Sequence, residues 1–284
     1  MNFAAFVREQ EEAYERKLDN IAREIASNDK IRLIPVAGPS SSGKTTSTRK
    51  LSEKLNAFGR RSEIISIDDF FFDPDESVLE MKEEIDFESL QNIDLKFLHM
   101  CLSALTAGRT AVMPVFNFVT RKREQDLITF TPEKDQIFFV EGLHALNPLI
   151  YNNAVSDDTT YKIYLNTVDS KGNIENARLI RRIVRDFNFR NATAEFTLYL
   201  WDSVMRGERE NITPYIGNAD ATVNTFLAYE PMVLSPIAKR IISDVPVGSR
   251  FYAKAQKMLA DMENIEAADE SFIPENSLLR EFVG

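Results

Sequence analysis

Gly38-Pro-Ser-Ser-Ser-Gly-Lys-Thr45 fits the pattern G-x-x-x-x-G-K-[ST], and the residues on either side give it a context. Ile31-Arg-Leu-Ile-Pro-Val-Ala37 reads as an apolar strand running into it. Residues 46–58 read as a helix leaving it, with Leu51 and Leu55 four apart and Gly59 as its stop. Glycines let such a loop curl until its N–H groups point inward at phosphate oxygens, and the helix N-terminus offers its positive end to the same anion. Gly38, Ser40, Ser41, Ser42, Gly43, Lys44, Thr45 and Thr46 are therefore the candidate contacts to a nucleoside triphosphate. Lys44 is placed to reach the outer phosphates and Thr45 to give its hydroxyl to Mg²⁺.

Composition narrows the setting. The chain has 284 residues, 44 % of them hydrophobic, enough for one large α/β core. Its formal charge of −10 argues against a nucleic-acid or anionic-membrane surface, which needs a basic face. Cys101 is the single cysteine and His99 and His144 are the two histidines, which excludes an intrachain disulfide and makes Cys/His metal sites unexpected. The first residues turn acidic too early for a secretory signal, and no run of about 18 apolar residues occurs, so a soluble cytoplasmic protein is expected.

Along the chain, Val7, Tyr14, Leu18, Ile21 and Ile25 recur at helical spacing and predict an amphipathic helix over residues 3–26, docked on the flank of the domain. Such a helix could also join an upstream module or pair between subunits of a homo-oligomer. Ser62-Glu-Ile-Ile-Ser-Ile67 predicts a second strand ending in Asp68-Asp69-Phe70-Phe71-Phe72-Asp73. Acids at the carboxyl end of a parallel strand lie at the crevice where ligands bind, and alternation along a strand predicts that at least one of the three phenylalanines lines it. Asp94 is the expected cap of a helix carrying Leu95, Leu98, Leu102 and Leu105. Residues 110–118 and 127–131 predict a β-ribbon bent at 120–124. Ile137-Phe-Phe-Val140 is continuous enough for a buried parallel strand and ends at Glu141, where a carboxylate can serve Mg²⁺. Further strands are expected at Tyr161-Lys-Ile-Tyr-Leu165 and near Val223, with helices at roughly 192–206, 229–242 and 250–263. Pro35 breaks a local rule, since proline removes a ladder donor from a central strand; an end-of-strand position would excuse it.

Arg178, Arg181, Arg182 and Arg185 fall at i, i+3, i+4 and i+7, with Arg190 beyond. Like charges at this spacing repel by a few tenths of a kcal/mol per pair unless an anion sits on them, so the stripe is read as a lid facing phosphate. Alternating strands and helices predict a three-layer α/β/α fold with a mostly parallel sheet, a small β-ribbon and a helical lid. The core spans residues 30–228, flanked by helical segments over 1–29 and 229–284. A guanine-reading [NT]-K-x-D is missing, because Asn166-Thr-Val-Asp169 lacks the lysine, and no Ser-Gly-Gly transporter signature occurs. Acids, aromatics and arginines together favour phosphate transfer to a small hydroxyl acceptor.

The loop, Ser66-Ile-Asp-Asp-Phe-Phe71, Asp86-Phe87, Pro114-Val-Phe-Asn-Phe-Val119, Phe139-Val-Glu-Gly142 and Arg178-Leu-Ile-Arg-Arg-Ile-Val-Arg-Asp186 come in the order seen in uridine kinases, and the chain resembles the phosphoribulokinase/uridine kinase family over residues 31–225. Tyr229-Glu-Pro-Met-Val-Leu234 and Leu278-Leu-Arg-Glu-Phe282 resemble its bacterial uridine kinase-like branch, in which the kinase often follows a module related to threonyl-tRNA synthetase; residues 3–26 fit a remnant connector. The resemblance implies ATP and Mg²⁺ as donor and metal, and a nucleoside, most simply uridine, as acceptor. It makes Asp68, with Lys44 and Arg182, the catalytic group, Asp68 orienting the acceptor 5′-hydroxyl. It assigns Asp86 to the ribose hydroxyls, Phe71, Phe116 and Phe118 to the base pocket, and Thr45 with Glu141 to Mg²⁺. Arg182 and Arg185 would close over the phosphates and Arg178 and Arg190 over the acceptor. Two departures bear on the acceptor: Phe71 and Phe116 stand where pyrimidine nucleoside kinases usually carry tyrosine, and Arg121 where they carry a base-reading histidine. A sugar phosphate or pantothenate-like acceptor is the alternative implied by the wider family, and a catalytically idle nucleotide-binding regulator is the alternative of a different class.

Overall fold

The computed structural model describes residues 2–73, 89–117, 120, 122–151, 155–169, 172 and 175–284. Five short strands, β1 (Leu33–Ala37), β2 (Ser62–Ser66), β7 (Ile137–Glu141), β8 (Ile163–Asn166) and β9 (Ala221–Asn224), form one parallel sheet in the order β2-β7-β1-β8-β9. β1 is buried along its whole length, which is why it reads as an unbroken apolar run rather than an alternating one. Successive residues still face opposite layers. Ile34, Val36 and Phe139 join one core, with Leu51 and Leu55 of α2 (Lys44–Ala57). Leu33, Phe138 and Val140 join the other, with Leu98, Leu102 and Leu105 of α3 (Leu95–Thr106). Asp94 caps α3 as expected, its Oδ1 accepting from the Phe97 N–H at 3.0 Å.

The β-ribbon is split in two. β3 (Ala111–Met113) pairs with β6 (Ile128–Phe130), and β4 (Phe116–Asn117) pairs with β5 (Lys122–Arg123). Pro114, which cannot donate, lies at the break.

Pro35 is not at a strand end. It keeps register with Val140 of β7, and its missing donor falls on the other side, facing β8. There β1 pairs only through Val36–Ile163 and Ala37–Tyr164, plus an isolated bridge at Leu33–Thr160. The proline thus sits in a gap of the β1–β8 ladder, the place where its missing N–H removes no bond.

Helix α1 (Phe3–Ala26) buries Val7, Tyr14, Leu18, Ile21 and Ile25 and runs along α2. The Tyr14 hydroxyl lies 2.8 Å from Ser47 Oγ, and Glu15 and Asp19 pair with Lys50 and Lys54 at 2.5–2.7 Å. The remaining helices, α4 (Glu175–Arg190), α5 (Ala194–Asn211), α6 (Glu230–Ser243) and α7 (Tyr252–Asp261), surround a third core that holds Trp201. A short turn, α8 (Arg280–Val283), packs Phe282 back into the first core. Among the described residues no helix is long and apolar enough to cross a membrane.

One buried ion pair gathers these parts. Arg181 of α4 donates Nε to Glu230 Oε1 at 3.0 Å and Nη2 to Oε2 at 2.6 Å, and both side chains are shut off from solvent. The same guanidinium donates to the carbonyls of Ser41 (3.3 Å) and Thr225 (2.8 Å) and to the hydroxyls of Thr167 and Thr225, and its plane lies 5.1 Å from the Phe282 ring. Removing one partner leaves the other charge buried and uncompensated, which typically costs about 3–5 kcal/mol. Glu230→Ala should therefore lower the free energy of unfolding by about that much in urea titrations. A loss below about 1 kcal/mol would show that the pair is dispensable.

Candidate active site

The chain runs from β1 out to β2, returns to β7 between them and then crosses to β8 on the other side of β1, and a reversal of this kind opens a crevice at the carboxyl ends of the strands. The loop 38–43 follows β1 into it. Gly38 is required by packing: a Cβ there would lie 2.5 Å from the Leu165 carbonyl oxygen and 2.6 Å from Ser42 Oγ. Gly43 is required by conformation as well, since its φ of +79° lies in the left-handed region and its Cβ would strike Leu278. As N-cap of α2, Gly43 has no side chain to satisfy the first-turn amides, which leaves them to other acceptors. Lys44 folds back over the loop, its Nζ 3.3 Å from the Pro39 carbonyl.

Two acids close on this loop from neighbouring strands. Glu141 ends β7, and the Thr45 hydroxyl lies 3.3 and 3.4 Å from its two carboxylate oxygens. Burial pushes the Glu141 carboxyl up to about 7; Lys44 and the Thr45 bond oppose this, while the charges of Asp68 and Glu281 add to it. Asp68 lies just past β2. Burial raises its carboxyl above the ordinary range too, opposed by Lys44 and Arg190 and assisted by Asp69. Lys44 thus draws on both acids, and the three groups form one electrostatic unit at the mouth of the crevice.

Asp69 does something else. The strand stops at Ser66, whose Oγ accepts from the Asp68 N–H, and residues Ile67–Phe70 form a 3-10 turn. The turn sends Asp69 away from Asp68, to accept the Phe116 N–H at 3.1 Å and hold the ribbon. Because the backbone here is not a strand, alternation does not sort the phenylalanines. Phe70 and Phe71 are both buried, packed edge-on to Phe97 and Phe116, while Phe72 is 50 % exposed. Phe71 and Phe116 stand against each other with ring centres 5.6 Å apart.

The arginine stripe expected to face one anion divides. Arg178 is fully buried, 2.7 Å from Glu208 and stacked 5.6 Å from the Trp201 ring, so it joins α4 to α5. Arg181 is taken up by Glu230. A helix of 3.6 residues per turn spreads i, i+3, i+4 and i+7 over a broad arc, enough for one flank to face inward. Arg182 faces the loop, its Nη1 donating to Ser40 Oγ at 2.8 Å, and Arg185 donates two bonds to the neighbouring Asp186. Asp186, itself buried, also pairs with Arg182 at 3.2 Å and Arg190 at 3.6 Å. One carboxylate holds three guanidiniums side by side.

Of the expected acceptor residues, Asp86, Phe118 and Arg121 lie outside the described residues. A neighbour that the sequence reading passed over has a definite place. Arg123 donates to the carbonyls of Phe70 (2.9 Å) and Phe71 (2.7 Å), pairs with Asp94 at 3.3 Å and stacks 5.6 Å from the Phe72 ring. It clamps the ribbon over the segment that carries Asp68. Glu281 was passed over too, although it accepts from Thr46, as described below.

These groups fit a magnesium nucleotide. Thr45 Oγ and the Glu141 carboxylate offer hard oxygen donors side by side, and the buried hydroxyls of Ser41 and Ser42 find no partner among the described residues. Lys44 and Arg182 supply positive charge at the loop, and Asp186 ties Arg185 beside Arg182.

Comparison with known proteins agrees. The profile of the Phosphoribulokinase / Uridine kinase family matches residues 33–228. A uridine kinase of Macrococcus caseolyticus is 29 % identical over 177 residues, covering 62 % of this chain and 79 % of that protein. One from Staphylococcus epidermidis is 28 % identical over 192 residues, covering 67 % and 86 %. The solved structure of a possible uridine kinase from Bacillus stearothermophilus superposes with a TM-score of 0.50 at 16 % identity, over 74 % of this chain and 98 % of that one, which shows a shared fold. The phosphate loop, the acids facing it and this match over most of the chain lead to one conclusion: the protein is a small-molecule kinase of the phosphoribulokinase/uridine kinase family.

Proposed function

We propose that the protein transfers the γ-phosphoryl group of ATP to the 5′-hydroxyl of a nucleoside, with uridine as the acceptor. The observation that carries this reading is the placement of Asp68, which shares Lys44 with Glu141 while lying in the 3-10 turn that leads from β2 into the aromatic segment. The uridine kinase relatives support the choice of acceptor class.

The loop amides and Lys44 bind the donor phosphates, and Arg182, Arg185 and Arg190 offset the charge that spreads over the equatorial oxygens during transfer. Thr45 and Glu141 are the residues that would hold Mg²⁺, which neutralises phosphate charge when bound. Asp68 accepts the hydrogen bond of the acceptor hydroxyl and points its oxygen at phosphorus. Transfer through a loose transition state needs little proton abstraction before the old bond breaks, so orientation is the larger part of its work. The raised pKa makes Asp68 a somewhat better proton acceptor than an ordinary aspartate. Phe71 and Phe116 give the base an apolar wall without hydroxyls, and Arg121, donor only, favours the uracil O4 acceptor over the cytosine amine.

Asp68→Asn should lower kcat by a factor on the order of 10² or more while ATP affinity stays within about threefold. Near-normal turnover in a coupled ADP-release assay would remove Asp68 from this role. In the same assay uridine should exceed cytidine in kcat/KM by about 5–10-fold, the worth of one hydrogen bond; equal turnover contradicts the role of Arg121, and turnover of neither contradicts a pyrimidine nucleoside acceptor.

Glu141 gives a third check, in chelator and without nucleotide. Its carboxyl is raised from 4.5 to about 7 in the folded protein, so the folded state holds a proton that the unfolded chain has released. The associated stability is whole below pH 4.5 and is lost as pH rises through about 7. Glu141→Gln, which stays neutral, should flatten the fall in Tm between pH 5 and 8 (roughly the window of that titration) and abolish magnesium-dependent turnover. Parallel Tm profiles for variant and wild type would rule out a buried, protonated Glu141.

A further inference from the structure

The segment around α8 is anchored beside the phosphate loop. Leu278, Leu279 and Phe282 are fully buried, with Leu278 filling the space over Gly43 that a Cβ would need. Asn188 of α4 donates to the Phe282 carbonyl at 3.1 Å, and Arg280 donates to the carbonyls of Pro274 and Gly284. From this platform Glu281, only partly buried, sends its carboxylate to the first turn of α2. Its Oε2 accepts from the Thr46 hydroxyl at 2.8 Å and from the Thr46 N–H at 3.3 Å.

Those two donors have another claimant. They follow directly on Gly43-Lys44-Thr45, at the positive end of α2, where loop-to-helix sites direct their N–H groups at phosphate oxygens. A helix usually satisfies its first-turn amides with a side chain at its own N-cap. Here the cap is Gly43, which has none, and the acceptor comes from a carboxylate 235 residues away in sequence. One carboxylate oxygen that accepts from both Thr46 donors copies the chemistry of a phosphate oxygen.

We propose that Glu281 is an internal competitor of the phosphorylated ligand: its carboxylate occupies the Thr46 donors in the free protein and must rotate off them before a phosphate oxygen can bind there. The proposal rests on the reading of this loop as the nucleotide-donor site. Rotation of one partly exposed side chain is enough, because Leu279 and Phe282 carry the packing and stay in place. Two effects of opposite sign follow. The contact stabilises the free helix terminus, yet it weakens every ligand that brings an anion to it.

The test is calorimetric titration of wild type, Glu281→Ala and Glu281→Gln with ADP, inorganic tripolyphosphate and adenosine. ADP and tripolyphosphate should bind about 10-fold tighter to Glu281→Ala, the equivalent of one charge-assisted hydrogen bond, with a smaller gain for Glu281→Gln. Adenosine should bind all three proteins alike, and the ligand-free variants should melt lower than wild type. Unchanged or weaker ADP binding by variants that keep their fold overturns the proposal, as does an equal gain for adenosine, which would mean loosened packing and not relieved competition. Should the variants not fold, a crystal structure of the unaltered protein with ADP decides: Glu281 turned away from Thr46 supports competition, and Glu281 still bonded to Thr46 overturns it. Failure of the wild type and both variants to bind ADP or tripolyphosphate at all would instead overturn the donor-site reading, and competition with it.

Discussion

The bidentate bond between Arg181 and Glu230 is the constraint on which the other parts depend. A buried guanidinium must find an acceptor for its donors, and Arg181 finds them on the phosphate loop, at the ends of β8 and β9, and on α6. Each of those acceptors is thereby fixed relative to the others. The Ser41 carbonyl is held outward, which leaves the loop amides on its concave side. Thr225, itself held by Arg181, donates to the Ser42 carbonyl at 2.7 Å and repeats the same service one residue on. A charge that is costly to bury is retained where it can shape a backbone.

Around that loop, opposing charges are arranged so that none is neutralised completely. Lys44 faces two acids that burial makes reluctant to ionise, and Asp186 holds three guanidiniums with one carboxylate. Such a cluster is poorly satisfied by itself and well suited to a metal–phosphate group that brings both signs of charge.

Much of this was legible in the sequence, because it depends on neighbours in sequence. The loop Gly38–Thr45, the buried run Ile137–Val140 and the Asp94 cap each express a local rule, and each stands where the rule puts it. What could not be read depends on partners far along the chain. Helical spacing placed four arginines on one side of α4, but Glu208 and Glu230 draw two of them inward. Alternation does not sort Phe70–Phe72 because the strand yields to a 3-10 turn directly after Ser66, a change of backbone that no side-chain pattern announces. No local pattern singles out Arg123 or Glu281, whose contacts are with carbonyls and a threonine 52 to 235 residues away.

Pro35 has a mechanical consequence. The sheet is stitched unevenly: β2, β7 and β1 are bonded along their lengths, as are β8 and β9, while the line between β1 and β8 has two paired positions and one bridge. Asp68, Glu141 and the loop belong to the first block, and the arginines of α4, which follows β8, belong to the second. Near the loop, side chains do what strand pairing does not: Arg181, Arg182 and Thr225 of the second block reach the Ser41 carbonyl, the Ser40 hydroxyl and the Ser42 carbonyl at 3.3, 2.8 and 2.7 Å. They work as a row of rivets between two plates.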